Sequence, residues 1–353
     1  MRAICFREVQ SVVVDEVADA KIENDRDVVV QVELAGLCGS DLHPYFGREV
    51  GLDVGTVMGH EFVGKVIDKG DRVTSVDIGD RICAPFTSSC GECYYCKHGL
   101  SARCSEGQLF GWRQDGAGLH GGQAELVRVP LADGTVVKVP DWVSASDALL
   151  LGDNLSTAFY GASLSIDEQQ GADCVVVIGC GTVGLLSIGF AFQRQARKVV
   201  AIDLNASRAR QAAQRGADSF TDADEAASFV RAHTNGRGAD AVLEFVGLPQ
   251  AQRLAYDLIR PGGKMSVIGC HTAPHFAFSP AEAYDKNLVL GTGRCPARSL
   301  MDAVADQMKH QPLDLSWCLT HRFSIDQGVE AYDVFANRKD GCVKAAIEFD
   351  LID

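Results

Sequence analysis

The sequence predicts two folded parts of different texture: a mostly β first part and, after about residue 150, an α/β part built on a doubly wound parallel sheet. Three observations carry this. A chain of 353 residues exceeds the size at which one hydrophobic core usually suffices. From Arg2 to about Pro140, short apolar runs such as Val28 to Leu34 are separated by Gly, Asp and Pro turns, which is a strand pattern. Beyond Ser146 the pattern becomes helical and then alternates strand with helix.

In the first part, Gly79-Asp80 marks a tight turn, and Ser146 to Ser163 opens the helical texture. Cys174 to Ile178 is a five-residue apolar run, read as a buried parallel strand. Gly179, Gly181 and Gly184 follow as G-x-G-x-x-G entering an apolar helix. In such a turn the first glycine allows the sharp bend, the second lets backbone approach a pyrophosphate, and the third lets helix pack on strand. Free N–H groups at the helix start attract the phosphate. Asp203 ends a second strand, Lys198 to Ile202, and lies 19 residues beyond Gly184, where a carboxylate accepts hydrogen bonds from an adenosine ribose. A carboxylate repels a ribose phosphate, so NAD is expected over NADP. Arg208 qualifies this: it could bond the ribose of NAD, tolerate the phosphate of NADP, or stand as an exposed helix cation.

Further along, Ser207 to Arg215, Asp224 to His233 and Pro249 to Ile259 read as helices, and Asp240 to Val246 and Lys264 to Gly269 as strands. Pro261-Gly262-Gly263 reads as a turn, and Asn287 to Leu290 as the last strand of the sheet. The tail from Arg298 is helical and then ends in a strand, Val343 to Phe349.

Composition narrows the function classes. A net charge of −14 with no basic run argues against nucleic acid and membrane surfaces as partners. Thirteen cysteines, several of them single at apolar positions, suit a reducing compartment better than a disulfide framework. The start, MRAICFREVQ, has no long apolar segment, so the cytoplasm is the expected location.

Two cysteine-containing groups have metal-ligand character. Cys90, Cys93, Cys96 and Cys104 form C-x2-C-x2-C-x7-C, which suits tetrahedral structural zinc. The fourth cysteine comes too late for a bacterial ferredoxin cluster. The second group is dispersed: Cys38 in CGSDLH, His60 in MGHEF and Asp153 in GDNLSTAFYG. One thiolate, one imidazole and one carboxylate would leave zinc an open position. Spacing alone does not unite them; singly they read as a core cysteine, a turn histidine and a helix cap.

Taken together, CGSDLH, GHEF, the four-cysteine lobe, VVVIGCGTVG and ADAVLEFVG resemble the zinc-containing alcohol dehydrogenases of the medium-chain dehydrogenase/reductase superfamily, over nearly the whole chain. GDNLSTAFYG is most similar to the branch with an aspartate zinc ligand, which includes formaldehyde-dehydrogenase-like members. The resemblance implies a GroES-like catalytic domain at residues 1–152, completed by 296–353, and a Rossmann NAD-binding domain at 153–295 with a six-stranded sheet. It implies two zinc ions per chain: a catalytic one on Cys38, His60 and Asp153, and a structural one on Cys90, Cys93, Cys96 and Cys104. Glu61 matches an acid that can approach the catalytic metal during ligand exchange, and Asp41 a carboxylate that orients the ligand histidine. Ser40 and His43 match a proton relay. Thr157 and Val183 match residues pressing on the nicotinamide ring, Lys344 a basic group reaching the pyrophosphate, and Phe86 a wall of the substrate pocket.

The implied reaction is hydride transfer between NAD and a small alcohol, or its aldehyde or ketone, by a homodimer or homotetramer. A polyol or sugar-acid dehydrogenase of the same family is the alternative substrate class. A catalytically silent nucleotide-binding protein is the alternative outside enzymes, and the relay residues argue against it. His120, His271 and Arg294 stand where the sequence departs from the family pattern.

Overall fold

Ten residues of largely apolar and β-branched character, Val28–Leu37, form the central strand of a seven-stranded sheet. The strand pairs antiparallel with Phe62–Lys69, with Leu126–Val129 and with the C-terminal strand Lys344–Glu348. Leu319–Ser324, Arg81–Cys83 and Val137–Lys138 extend the sheet. Its core is aliphatic and aromatic: Val30, Val32, Leu37, Phe62, Ile82 and Phe110 are nearly fully enclosed. Register explains why sequence-distant residues meet. Phe62 stands opposite Ala35 and Ala345 opposite Leu37. Residues just past those pairs, Cys38, Glu61 and Lys344, therefore gather at one end of three adjacent strands.

The computed structural model describes residues 1–350. The chain divides into two units, Met1–Ser156 with Pro296–Asp353, and Thr157–Cys295. The last three residues of the expected 296–353 segment lie outside the described residues. The division falls after Ser156 rather than before Asp153, so the whole turn that carries Asp153 belongs to the first unit. Ala145–Leu150 is helical and packs on the central strand. It continues as a π-helical segment, Leu151–Leu155, into the helix Ser156–Ser165.

The second unit is a six-stranded, all-parallel sheet. Its order is Asp218–Phe220, Val199–Ile202, Val175–Ile178, Ala239–Glu244, Ile259–Val267, Val289–Thr292. Numbered along the chain this is 3-2-1-4-5-6, the doubly wound arrangement with its switch point at Val175–Ile178. Two expected boundaries move. Pro261-Gly262-Gly263 lies within the strand Ile259–Val267, at a register shift opposite Ala239/Ala241, so the turn signal marks a bulge. The sixth strand begins at Val289 because Asn287, at φ 46°, donates its N–H to the Tyr284 carbonyl and closes the preceding helix. Among the described residues no helix is long and apolar enough to cross a membrane.

Candidate active site

Two strand ends and the π-helical segment bring Cys38, His60, Glu61 and Asp153 together with one ligand atom of each within 4.8 Å of the others, all four buried. Cys38 Sγ lies 3.3 Å from Asp153 Oδ2, and His60 Nε2 lies 3.5 Å from the same oxygen. These separations resemble the edges of a tetrahedron around an ion bonded at roughly 2.0–2.3 Å. Asp41 organises the set. Its Oδ2 accepts the Cys38 backbone N–H at 2.9 Å and its Oδ1 lies 3.0 Å from His60 Nδ1. That contact keeps a proton on Nδ1, so that Nε2, which faces Asp153, is the nitrogen a metal would take.

Asp153 reaches this cluster because the π-helical segment is pressed close to the sheet. A Cβ on Gly152 would lie 2.3 Å from the Ala84 carbonyl oxygen, so glycine is required there. The wider helical turn leaves the Leu151 carbonyl without its α-helical partner, and the Ser156 hydroxyl donates to it at 2.6 Å.

The electrostatics call for a cation. Asp41, Glu61 and Asp153 are buried beside one buried ammonium, that of Lys344, which pairs with Glu61. Burial raises the Glu61 carboxyl, and Lys344 opposes it. Burial also acts to raise Asp153, but the adjoining His60 outweighs it and holds the carboxyl well below its usual range. The Cys38 thiol is pushed up to about 11 by burial and by the charges of Asp153 and Glu61. A soft thiol, an oriented imidazole and surplus carboxylate together fit a divalent metal such as zinc.

The four-cysteine lobe is built differently. Cys90, Cys93, Cys96 and Cys104 also converge within 4.8 Å, but only Cys90 is fully buried. Backbone N–H groups of Glu92 and Cys93 donate to Cys90 Sγ, and that of Cys90 donates to Cys104 Sγ at 3.2 Å. Backbone donors from Cys96 and Ser105 pull the Cys93 thiol down to about 6, while burial and neighbouring sulfurs push Cys96 up to about 12. Four sulfurs this close cannot all ionise without a cation between them, and the donor set fits zinc.

In the second unit the glycine turn has the form that a dinucleotide needs. Gly179 sits at φ 88° with Val246 against it, and a Cβ on Gly184 would lie 1.9 Å from the Gly179 carbonyl oxygen. A Cβ on Gly181 would meet nothing within 4 Å, so open space lies in front of this backbone at the start of the helix Thr182–Gln193. Asp203 Oδ2 accepts the Cys180 N–H at 2.8 Å and Oδ1 accepts the Asn205 N–H at 2.8 Å, so the carboxylate is fixed at the mouth of the turn. Arg208 Nη1 is 3.9 Å from it.

Comparison with known proteins agrees with this geometry. Residues 24–141 match the alcohol dehydrogenase GroES-like domain, and residues 182–306 match the zinc-binding dehydrogenase domain. A zinc-type alcohol dehydrogenase B of Aspergillus flavus is 40% identical over 342 residues, 95% of this chain and 78% of that protein. The chain belongs to the zinc-type alcohol dehydrogenase family. A medium chain reductase/dehydrogenase of an Acremonium species is 44% identical over 292 residues, covering 81% of this chain and 98% of the relative. The solved structure of an alcohol dehydrogenase from Thermus sp. ATN1 superposes with a TM-score of 0.91 at 34% identity, covering 99% of both chains.

Within this zinc-type dehydrogenase the remaining residues fall as follows. Ser40 is exposed, with Oγ 3.5 Å from Cys38 Sγ. His43 is half-buried on the short helix Leu42–Tyr45, and its Nδ1 is buried without a hydrogen-bond partner. The Phe86 ring meets the His60 ring edge-on at 6.4 Å. Thr157 opens the second unit, and Val183 is half-buried in the helix after the glycine turn.

Lys344 is 1% exposed and its ammonium is held by Glu61, so it balances charge beside the metal set. Burial forces this: an enclosed ammonium needs a carboxylate partner. His271 Nε2 donates to the fully buried Glu244 at 2.8 Å, and His120 Nδ1 accepts the Val57 N–H at 3.1 Å. The residue that sequence reasoning missed is Asn154, whose amide nitrogen lies 2.7 Å from Glu61 Oε1 and 3.2 Å from Asp153 Oδ2. Its one signal was a second polar residue beside Asp153 in the apolar run LLLGDNLSTAF.

Proposed function

We propose that this zinc-dependent oxidoreductase interconverts a small alcohol and its aldehyde or ketone, with NAD in preference to NADP, in a reducing compartment such as the cytoplasm. The observation that carries the reading is the buried set Cys38, His60 and Asp153 with Asp41 bridging two of its members. A zinc ion held there supplies a Lewis acid that favours a deprotonated alcohol, or polarises a carbonyl in the reverse direction. The nicotinamide supplies the hydride carrier.

The chain's own groups divide the remaining work. Asp41 holds His60 in the ligating tautomer. Ser40 takes the alcohol proton, and His43, neutral and with an unpartnered Nδ1, receives it for delivery to solvent. Phe86 bounds the substrate position beside His60. Gly179, Gly181 and Gly184 accept the pyrophosphate, Asp203 and Arg208 the adenosine ribose, and Thr157 and Val183 bear on the nicotinamide. Cys90, Cys93, Cys96 and Cys104 hold a structural zinc. The exposed edge residue Val289 on the outer strand of the parallel sheet supports assembly as a homodimer or homotetramer.

The test is NADH absorbance from zinc-replete protein against short alcohols, polyols, sugar acids and aldehydes, with NAD and NADP run separately. Turnover on one class with NAD, lost on chelation and restored by zinc, is the expected result. Faster turnover with NADP would overturn the role given to Asp203, and turnover that survives complete loss of metal would overturn the role of Cys38, His60 and Asp153.

A further inference from the structure

Asn154 does something at the metal set that neither the ligands nor the relay require. Its Nδ2 donates to Glu61 Oε1 at 2.7 Å and approaches Asp153 Oδ2 at 3.2 Å. The amide can face only this way, because the reversed orientation would set its oxygen against two carboxylates. The other oxygen of Glu61 is held by Lys344. Both oxygens of this carboxylate are therefore engaged, although Glu61 belongs to the same 4.8 Å cluster as Cys38, His60 and Asp153.

The arrangement carries a cost. Asn154 is 1% exposed and its Oδ1 is buried with no partner; an apolar residue here would avoid that penalty. The neighbours Leu150, Leu151 and Leu155 are all apolar and buried. The π-helical segment turns less per residue than an α-helix, which lets two consecutive polar side chains, Asp153 and Asn154, reach the same cluster.

We propose that Asn154 is a positioning residue that holds Glu61 out of the metal's coordination sphere and so keeps the fourth position open to substrate. The proposal rests on the reading of Cys38, His60 and Asp153 as metal ligands. Lys344 neutralises Glu61 but grips a single oxygen. Asn154 takes the oxygen that would otherwise be free to ligate, and its second contact ties the restraint to Asp153. Without the amide, Glu61 competes with alcohol for the open position.

The test uses full-length protein with cobalt(II) exchanged for zinc, read by visible absorption, beside steady-state kinetics. In Asn154→Leu, the cobalt d–d bands should weaken as the coordination number rises. KM for alcohol should rise about tenfold with a smaller change in kcat, since the loss is in access to the metal. In Asn154→Leu/Glu61→Gln the bands should return to those of Glu61→Gln alone. Unchanged bands and KM in Asn154→Leu overturn the proposal. So does a fall in kcat and bound metal with KM unchanged, which makes Asn154 a support of Asp153 only. Asn154→Ala is the second variant where the leucine does not fit. Native protein that binds a single metal, in the four-cysteine lobe, overturns the metal reading and the proposal with it.

Discussion

The two metal-donor clusters of this chain reach the same spacing by opposite routes. In the lobe, four sulfurs come from residues 90–104, and the chain itself wraps them, with backbone N–H groups aimed at sulfur. In the other, Cys38 and Asp153 are 115 residues apart, and the donors sit on strand ends and a π-helical turn that a large core holds in place. The first cluster has little packing of its own, so its metal is part of its folding. The second is built by packing, and the hydrogen bonds from His60 to Asp41 and from Asn154 to Glu61 and Asp153 are already in place for a metal to use.

The largest test of this contrast is a pair of variants. Asp153→Ala should lower turnover by about 10^3-fold or more, since the Lewis acid contributes several kcal/mol and each 1.36 kcal/mol is tenfold. Its melting temperature should move by no more than about 4 °C, roughly the effect of 1 kcal/mol on a domain of this size. Cys93→Ser should do the reverse, with a melting temperature lower by about 10 °C or more and the folded fraction still turning over. Thermal melting and activity on the same samples check both, and equal destabilisation in the two variants would remove the distinction.

A smaller effect sharpens it. In Gly152→Ala the new methyl meets the Ala84 carbonyl at 2.3 Å, and the π-helical turn must shift, costing about 1–3 kcal/mol. Asp153 moves with it, so metal affinity at the buried site should fall about 10- to 100-fold. Chelator competition should show one metal lost early while the lobe keeps its own. Gly134→Ala is the counterpart, because its methyl would lie 2.4 Å from the Cys90 backbone; here the lobe should release first.

The same contrast explains what could be read from the sequence. The lobe was legible because its ligand spacing is local, and the parallel sheet because Val175–Ile178, the glycine turn and Asp203 are contiguous. Cys38, His60 and Asp153 were brought together only by the family likeness, since nothing in their separations states that two strand ends meet one helical turn. Lys344 shows the limit most clearly. The family likeness offered it to a pyrophosphate, and nothing in the sequence said that pairing of Ala345 with Leu37 carries it into the interior beside Cys38, where it meets Glu61. Asn154 was missed for a related reason: the widened turn that aims it at Glu61 depends on contact between Gly152 and Ala84, which no helical periodicity encodes.

The smallest expected effect concerns the edge of the buried site. His43 lies partly enclosed, and burial lowers its pKa from 6.5 because the charged ring loses solvation. Glu49 and Asp41 pull the other way and Arg48 adds to the lowering, without reversing the direction. The imidazole is therefore neutral at pH 7 and able to accept a proton at Nδ1. It becomes charged only as pH falls through a value below 6.5, so the acid limb of kcat/KM should lie below that pH. Forcing the charge there also costs stability, since the unfolded chain binds that proton more readily. His43→Gln should remove the limb and lower turnover at neutral pH by about tenfold, less than the roughly 10^2-fold of a base in direct contact with substrate, because water can replace it. A limb that persists in His43→Gln would assign the proton to another group and leave His43 as packing around the short helix.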